Sequence, residues 1–218
     1  MSALSSEQRR LAKFAFFVGL AAVGFPASAS TLSVRVVDSR GKPVPDAVVT
    51  LRPTRGTAPR PAAKGDFRVT QQDTQFHPFV SIVPVGATVG FPNFDPFRHH
   101  VYSFSPTKRF ELKLFARDQT RSVTFDRPGI VAIGCNIHDS MSAYIVVTDS
   151  AWTMRVPASG IVRIANVPAG GSTLLVWHPY LRAPGGLLAR NLILRGDDQL
   201  ETVEVTLRPP PMHSVGGY

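Results

Sequence analysis

The residues best suited to chemistry lie in one short stretch, Gly134-Cys-Asn-Ile-His-Asp-Ser-Met141, which contains the only cysteine of the 218 residues. A thiolate, an imidazole and a thioether are soft and borderline ligands, a combination that suits copper better than magnesium, calcium or a purely structural zinc. A loop this short can turn all three side chains inward. The sequence therefore predicts a copper-binding loop that lacks only a second imidazole.

The candidate source of that imidazole is the pair His99-His100, which follows the apolar, glycine-punctuated run Val85–Asn93. Two imidazoles and a thiolate form a trigonal plane around copper, and a long thioether contact tunes the potential without fixing the geometry for one oxidation state. Such a site exchanges an electron with little rearrangement. The predicted activity is therefore one-electron transfer, with the chemistry supplied by the metal and tuned by its surroundings.

Cys135 and His138 also admit other interpretations. A thiol nucleophile with a histidine base needs an orienting third group and an oxyanion hole, and the sequence supplies neither. A structural zinc site would normally recruit Cys, His, Asp or Glu as its fourth ligand, not Met141. A purely structural role buries Cys135 and Met141 in the core, where both pack well, but it leaves the histidines at ligand spacing unexplained.

Residues 1–29 are typical of a secretory signal peptide. A segment with paired arginines precedes an apolar run from Phe14 to Phe25, and small residues follow it. The run is shorter than the ~20 residues that cross a bilayer as a helix. We therefore expect cleavage and a periplasmic or secreted protein. Because an exported chain with one cysteine forms no internal disulfide, Cys135 is left for a metal, an external partner or oxidation.

The chain is strongly basic. Its net charge is +9, and loss of residues 1–29, which contain three basic residues and one acidic residue, lowers the net charge to +7. Positive charge favours an acidic redox protein, such as a cytochrome or a dehydrogenase, or peripheral contact with an anionic membrane. Export argues against a nucleic-acid partner.

The remaining chain reads as all-β. Short alternating runs rich in Val, Ile, Leu, Thr and Phe recur between turn residues, and the chain contains 17 Gly and 19 Pro, so turns are frequent. This pattern predicts sandwiches or barrels. The runs from Phe67 to Thr148, which begin with a strand over Phe67–Thr70, are enough for one small sandwich. Residues 53–65 are predicted to be a flexible basic linker.

The spacing H…C-x2-H-x2-M, with V-x-F-x-N before the first histidine, resembles the plastocyanin and azurin family of cupredoxins, and most closely amicyanin-like proteins. The resemblance covers Phe67 to Thr148, and the predicted cupredoxin domain is residues 66–148. It implies a cupredoxin Greek-key β-sandwich with one type 1 copper, held by His99, Cys135 and His138 and by Met141 as the axial ligand.

Two further positions take their meaning from this resemblance. In the family, the asparagine equivalent to Asn93 hydrogen-bonds across the two ligand loops and helps to fix the cysteine loop. His100 departs from the family, in which an asparagine follows the first ligand. Since adjacent strand residues point to opposite faces, only one of His99 and His100 faces the metal, and the phase set by Asn93 selects His99.

The two ends of the chain resemble the halves of a carboxypeptidase regulatory-like domain. The run from Val37 to Leu51 follows the first half of its pattern, and Gly160-Ile-Val-Arg-Ile-Ala-Asn-Val-Pro-Ala-Gly170 follows the second. The cupredoxin-like unit separates the halves. The sequence thus predicts a second, discontinuous Ig-like β-sandwich of residues 30–53 and 150–208. In the alternative arrangement, the N-terminal hairpin packs on the central sandwich, because sequential strands usually neighbour one another.

Residues 209–218 are predicted to be a disordered tail. For the whole chain, the prediction is a periplasmic type 1 copper protein that carries single electrons and is not an enzyme. Two alternatives use the same residues differently. A copper storage or delivery module would pass the metal to a partner, and an envelope-binding β-sandwich would need copper only for stability.

Overall fold

The protein is all-β, as the sequence predicts. The computed structural model describes residues 30–210, and this part of the chain contains seventeen β-strands and one short 3-10 helix, Pro184–Gly186. Within the same residues, no helix is both long enough and apolar enough to cross a membrane. The predicted signal peptide, residues 1–29, and most of the predicted tail, residues 211–218, lie outside the described residues.

The strands fall into three groups along the chain. The first group is β1 (Ser30–Asp38), β2 (Val48–Pro53), β3 (Phe67–Arg68), β4 (Thr70–Gln72), β5 (Gln75–His77), β6 (Val80–Pro84) and β7 (Ala87–Pro92). The second group is β8 (His99–Ser105), β9 (Lys108–Phe115), β10 (Thr120–Phe125), β11 (Gly129–Cys135) and β12 (Ser142–Thr148). The third group is β13 (Thr153–Arg155), β14 (Ile161–Val167), β15 (Gly170–Trp177), β16 (Leu187–Leu194) and β17 (Gln199–Val205).

Two sheets, in the orders β14-β1-β17 and β13-β2-β15-β16, enclose one hydrophobic core. In β1, the buried Leu32, Val34 and Val36 alternate with more exposed residues, which places one face of the strand against the core. The other sheet contributes Leu51 and Leu174 to the same core. These elements form the outer unit of the protein.

The outer unit is built from both ends of the chain. β1 runs antiparallel to β14 and parallel to β17, and β2 lies between β13 and β15. A discontinuous sandwich requires this hydrogen bonding, whereas an N-terminal hairpin packed on the central sandwich does not. The domain limits 30–53 and 150–208 stay a prediction.

The central unit contains a five-stranded sheet in the order β6-β12-β11-β8-β9, a smaller sheet in the order β10-β7-β3, and the hairpin β4-β5. The large buried side chains of its core are Phe91, Phe115 and Phe125. Cys135 and Met141 belong to the same core. The predicted copper loop therefore begins and ends in the core of this unit.

Three local expectations in the central region need correction. The predicted strand Phe67–Thr70 is divided, because β3 pairs with β7 whereas β4 pairs with β5. The sequence pattern does not predict β5, which is too short to show alternation. Pro53 ends β2, and residues 54–65 contain no strand. The linker is nevertheless anchored: Ala58 packs against the outer core, and the Ala151 N–H donates to the Pro59 carbonyl at 2.7 Å.

A small apolar seam joins the two units. It consists of Val48, Val80, Val146 and Trp177, which come from one strand pair of each unit. The Tyr144 ring lies 5.6 Å from the Trp177 ring across this seam, an edge-to-face contact. The central unit and the outer unit are therefore connected by packing as well as by the chain.

Candidate metal centre

The predicted ligands come from two neighbouring strands and the loop that follows one of them. His99 begins β8 and Cys135 ends β11. The two strands are antiparallel partners, with Val101 opposite Cys135 and Tyr102 opposite Gly134. Because His99 lies two residues before Val101, its side chain points to the same face of the sheet as that of Val101. The pairing thus places His99 beside Cys135.

Backbone hydrogen bonds close the loop between Cys135 and Met141. The Met141 N–H donates to the His138 carbonyl at 2.9 Å, and the Cys135 N–H donates to the Met141 carbonyl at 3.2 Å. These two bonds turn residues 135–141 back on themselves. The spacing C-x2-H-x2-M therefore becomes a loop closed by its own backbone hydrogen bonds.

The structure brings His99, Cys135 and His138 together. One ligand atom from each residue lies within 4.8 Å of the others, and residues 30–210 contain no other group of three His, Cys, Asp or Glu that meets this condition. The His99 Nδ1 is 3.6 Å from the Cys135 Sγ. Two ligands bound to one ion at ~2.0–2.3 Å, with tetrahedral to trigonal angles, are about 3.5–3.7 Å apart. This part of the geometry fits a single metal ion.

The three residues differ in how deeply they are buried. His99 and Cys135 are fully buried, whereas His138 is only partly buried. The Nδ1 of His138 is nevertheless buried and has no hydrogen-bond partner. An unpaired buried polar atom costs about 1–3 kcal/mol, and coordination to a metal would remove that cost. The His138 Nδ1 is thus a buried nitrogen that is available to a metal ion.

Met141 is buried in the same core as Cys135, with 1% of its surface exposed. Cys135 and Met141 also line the same surface cavity, beside Tyr102. The loop therefore places the thioether-bearing residue close to the other candidates. Its role as the axial ligand stays a prediction.

His100 lies on the opposite face, as expected for the residue after His99. Its Nε2 is 2.9 Å from the Glu111 Oε1 on β9, and its ring centre lies 5.8 Å from that of Tyr102, with the two rings tilted. Its Nδ1 is also buried without a partner, but His100 does not belong to the group of converging ligand atoms. The structure thus gives His100 a contact with Glu111 that is separate from the candidate centre.

Asp95 is a residue beside the candidate centre that the sequence pattern did not predict. It is 5% exposed, and its Oδ2 accepts a hydrogen bond of 2.7 Å from the His99 Nε2–H. Burial raises the pKa of Asp95, but hydrogen bonds from His99, Thr74 and Asp73 outweigh it, so the pKa lies below its ordinary value. The ionised carboxylate thus fixes the proton of His99 on Nε2 and leaves Nδ1 free to bind metal. A carboxylate four residues before a predicted histidine ligand is the signal that would have identified it.

Asn93 is buried, but its hydrogen bonds differ from those that the family resemblance implies. Its Nδ2 donates to the carbonyls of Phe97 and Phe115 at 2.8 and 3.2 Å, and its Oδ1 accepts the Asp95 N–H at 3.0 Å. In the described chain, its hydrogen bonds do not reach residues 134–142. The expectation that Asn93 fixes the cysteine loop is therefore wrong. Asn93 orders the loop that precedes His99.

Phe97 is a second residue that the sequence analysis misses. Its ring centre lies 5.2 Å from that of His99 and 5.3 Å from that of His138. The Phe97 side chain is also 42% exposed. It therefore packs beside both imidazoles and reaches the surface of the protein.

Comparisons with known proteins give partial similarities. No family model matches the chain, and no curated protein matches it. The purple cupredoxin from Nitrosopumilus maritimus is 19% identical over 38% of this chain and 100% of its own, with a TM-score of 0.35. A mutant of amicyanin in the Cu(I) form is 22% identical over 46% of this chain and 98% of its own, with a TM-score of 0.36.

A copper-containing nitrite reductase from Thermus scotoductus SA-01 is 25% identical over 53% of this chain and 28% of its own, with a TM-score of 0.37. The solved structures that are similar to part of this chain thus include cupredoxins, among them an enzyme. The similarity of the outer unit to carboxypeptidase regulatory-like domains stays a prediction. The case for a metal site rests on the geometry of the residues themselves.

Proposed function

We propose that this protein is a periplasmic or secreted type 1 copper protein that carries single electrons. The observation that supports the proposal most directly is the convergence of His99 Nδ1, Cys135 Sγ and a ring nitrogen of His138 within 4.8 Å. Met141 is the proposed fourth ligand. We propose no catalytic residue and no organic cofactor.

The chemistry of the donors favours copper. A thiolate with two imidazoles and a thioether matches the soft, trigonal set with a long axial contact that is typical of blue copper sites, whereas zinc would not recruit a thioether. Bound copper would supply a one-electron couple. The chain contributes two buried candidate ligands, His99 and Cys135, on paired strands, and a carboxylate, Asp95, that fixes the tautomer of His99.

The proposed route for electrons is the end of the molecule that carries His138 and Phe97. His138 is the least buried of the three converging residues, and Phe97, Phe94 and Ile137 are exposed apolar side chains nearby in the sequence. The chain without residues 1–29 has a net charge of +7. We therefore propose an acidic redox protein as the partner, with a cytochrome or a dehydrogenase as the candidates.

The outer unit has its own proposed identity. We propose that residues 30–53 and 150–208 form an Ig-like domain related to carboxypeptidase regulatory-like domains, with residues 66–148 inserted as the cupredoxin domain. The pairing of β1 and β2 with strands after Asp149 supports this division. Under this proposal, the outer unit is available to select the partner while the central unit holds the metal.

The function is tested by adding one equivalent of Cu(II) to the purified mature chain and recording visible and EPR spectra. We expect an intense thiolate-to-copper charge-transfer band that disappears on reduction and returns on oxidation. Absence of that band would overturn the type 1 assignment. A band together with transfer of copper to an apo-protein, without electron exchange with redox partners, would favour copper delivery over electron transport.

A further inference from the structure

Asp95 receives hydrogen bonds from two parts of the chain at once. Its Oδ2 accepts from the His99 Nε2–H at 2.7 Å and from the Thr74 N–H at 3.1 Å, and its Oδ1 accepts from the Asp73 N–H at 2.8 Å. The carboxylate is almost completely buried. A buried carboxylate is stable only when such donors surround it, so the three donors depend on one acceptor.

The two backbone donors form the turn of the β4-β5 hairpin. Asp73 and Thr74 connect Gln72 to Gln75, and both have positive φ, 53° and 58°. A non-glycine residue in this left-handed region costs roughly 1–2 kcal/mol. Hydrogen bonds to a charged acceptor, at about 1.5–3 kcal/mol each, are large enough to offset this cost. The conformation of the turn and the position of Asp95 therefore support each other.

We propose that the β4-β5 turn, acting through Asp95, positions His99 and sets how strongly its Nδ1 donates to a bound metal. The statement about donation rests on the proposed copper function, whereas the statement about positioning concerns the metal-free chain as well. Asp95 is thus a positioning residue, and the turn is a remote part of the candidate centre. Asn93 completes the arrangement because its Oδ1 holds the Asp95 N–H at 3.0 Å.

Asp95 and the turn should have opposite effects on how strongly the His99 Nδ1 donates to a metal. A carboxylate that accepts the Nε2–H increases the electron density of the ring, which strengthens donation from Nδ1 and favours the more highly charged metal. The two turn N–H groups draw charge away from the same carboxylate and weaken this effect. Removal of the carboxylate and removal of the turn donors should therefore shift a metal-centred potential in opposite senses.

The first test uses Asp95→Asn, with Asp118→Asn as the matched control at an exposed aspartate. Asparagine removes the charge and cannot accept all three hydrogen bonds. We expect a higher reduction potential for the copper-loaded Asp95→Asn variant and no change for Asp118→Asn. In the metal-free Asp95→Asn chain, amide exchange of Asp73 and Thr74 should accelerate by at least about tenfold, which corresponds to the loss of one hydrogen bond.

The second test inserts two glycines between Asp73 and Thr74, which moves the turn N–H donors away from the carboxylate without replacing Asp95 or His99. The potential should then fall below that of the wild-type chain. This variant decides the question if Asp95→Asn does not fold. Equal potentials in all variants would overturn the tuning, and unchanged exchange of Asp73 and Thr74 in metal-free Asp95→Asn would overturn the positioning. Failure of the wild-type chain to bind copper would refute the proposed function without altering the exchange result.

Discussion

At the scale of single residues, the candidate centre combines local and long-range contacts. The loop from Cys135 to Met141 is closed by its own backbone hydrogen bonds. His99, in contrast, lies outside this loop: its Nε2–H donates to Asp95, and its Nδ1 is 3.6 Å from the Cys135 Sγ. The thiolate ligand and the first imidazole therefore respond to substitution in different ways.

The cysteine and the methionine should have separable effects. Cys135→Ser removes the thiolate, so the charge-transfer band of the copper-loaded protein should disappear. Met141→Leu keeps the thiolate and both imidazoles, so the colour should persist, and loss of thioether donation to Cu(II) should raise the potential. Visible spectra and cyclic voltammetry measure the two outcomes. A coloured Cys135→Ser variant would exclude the cysteine from the site.

The two adjacent histidines form a matched pair for substitution by asparagine. His99→Asn should abolish the charge-transfer band and destabilise the metal-free chain by roughly 1–3 kcal/mol, because the buried Asp95 carboxylate loses its side-chain donor. His100→Asn removes a contact with the exposed Glu111 and should leave the spectrum nearly unchanged. Copper titration and urea unfolding of both variants test this difference. The reverse pattern would assign the ligand to His100.

The sequence predicts the parts of the site whose contacts are local in sequence and misses those whose contacts are distant. The Cys135 loop was predictable because its candidate ligands are close in sequence, and the alternation of β8 was enough to separate His99 from His100. Asp95 accepts hydrogen bonds from a turn more than twenty residues earlier in the chain, a contact that no local spacing indicates. The family resemblance also gave Asn93 the wrong partners.

At the scale of elements, β11 is the strand that ends at Cys135, and its first position requires a glycine. Gly129 opens β11 with φ of 140°. A Cβ at this position would lie 2.6 Å from the Thr107 Oγ1. Both the backbone conformation and the close approach of Thr107 therefore require glycine here.

Gly129→Ala should destabilise the protein by roughly 2–4 kcal/mol, from backbone strain and a steric clash together. Gly41→Ala is the matched control, because Gly41 also has positive φ, 76°, but has open space where a Cβ would lie. It should cost only about 1 kcal/mol. Urea unfolding measures both. Adding Thr107→Ala to Gly129→Ala should recover part of the loss, and no recovery would show that the clash is unimportant.

Alternation predicts most strands because one face of each packs on a core, as in β1. It does not predict the order of the strands in a sheet. The parallel pairing of β1 with β17 joins residues at opposite ends of the chain. Local periodicity contains no information about such a partner. Only the resemblance of the two chain ends to one interrupted domain pointed to it, and the very short β5 was not predicted at all.

At the scale of the whole molecule, the two units meet at the seam around Trp177, and His178 follows directly. His178 is 6% exposed, and its Nδ1 accepts the Tyr180 N–H at 3.2 Å. Its ring also packs against Tyr180, which in turn stacks on Phe79 of the central unit. These contacts connect the imidazole, through Tyr180, to the packing between the units.

Stability should depend on pH through His178. Burial lowers the pKa of His178 below 6.5, an effect that the charge of Asp46 only partly opposes. The unfolded chain thus binds a proton more readily than the folded one between the lowered pKa and about 6.5, so stability is complete above this window and is lost as the pH falls through it. The loss is at most about 1.4 kcal/mol per pH unit for one group. Protonation of Nδ1 would also break the bond from the Tyr180 N–H.

Thermal unfolding of the metal-free chain between pH 5 and pH 7.5 tests this dependence, because the metal-free state removes any contribution from ligand binding. His178→Asn should be less stable than the wild-type chain at pH 7.5 and should lose less stability on acidification. His77→Asn is the matched control, since His77 is exposed and should leave the wild-type slope intact. Equal slopes for the wild-type chain and His178→Asn would show that His178 does not link pH to the seam. A reduced slope in His178→Asn alone would assign the acid sensitivity to the contact between the two units.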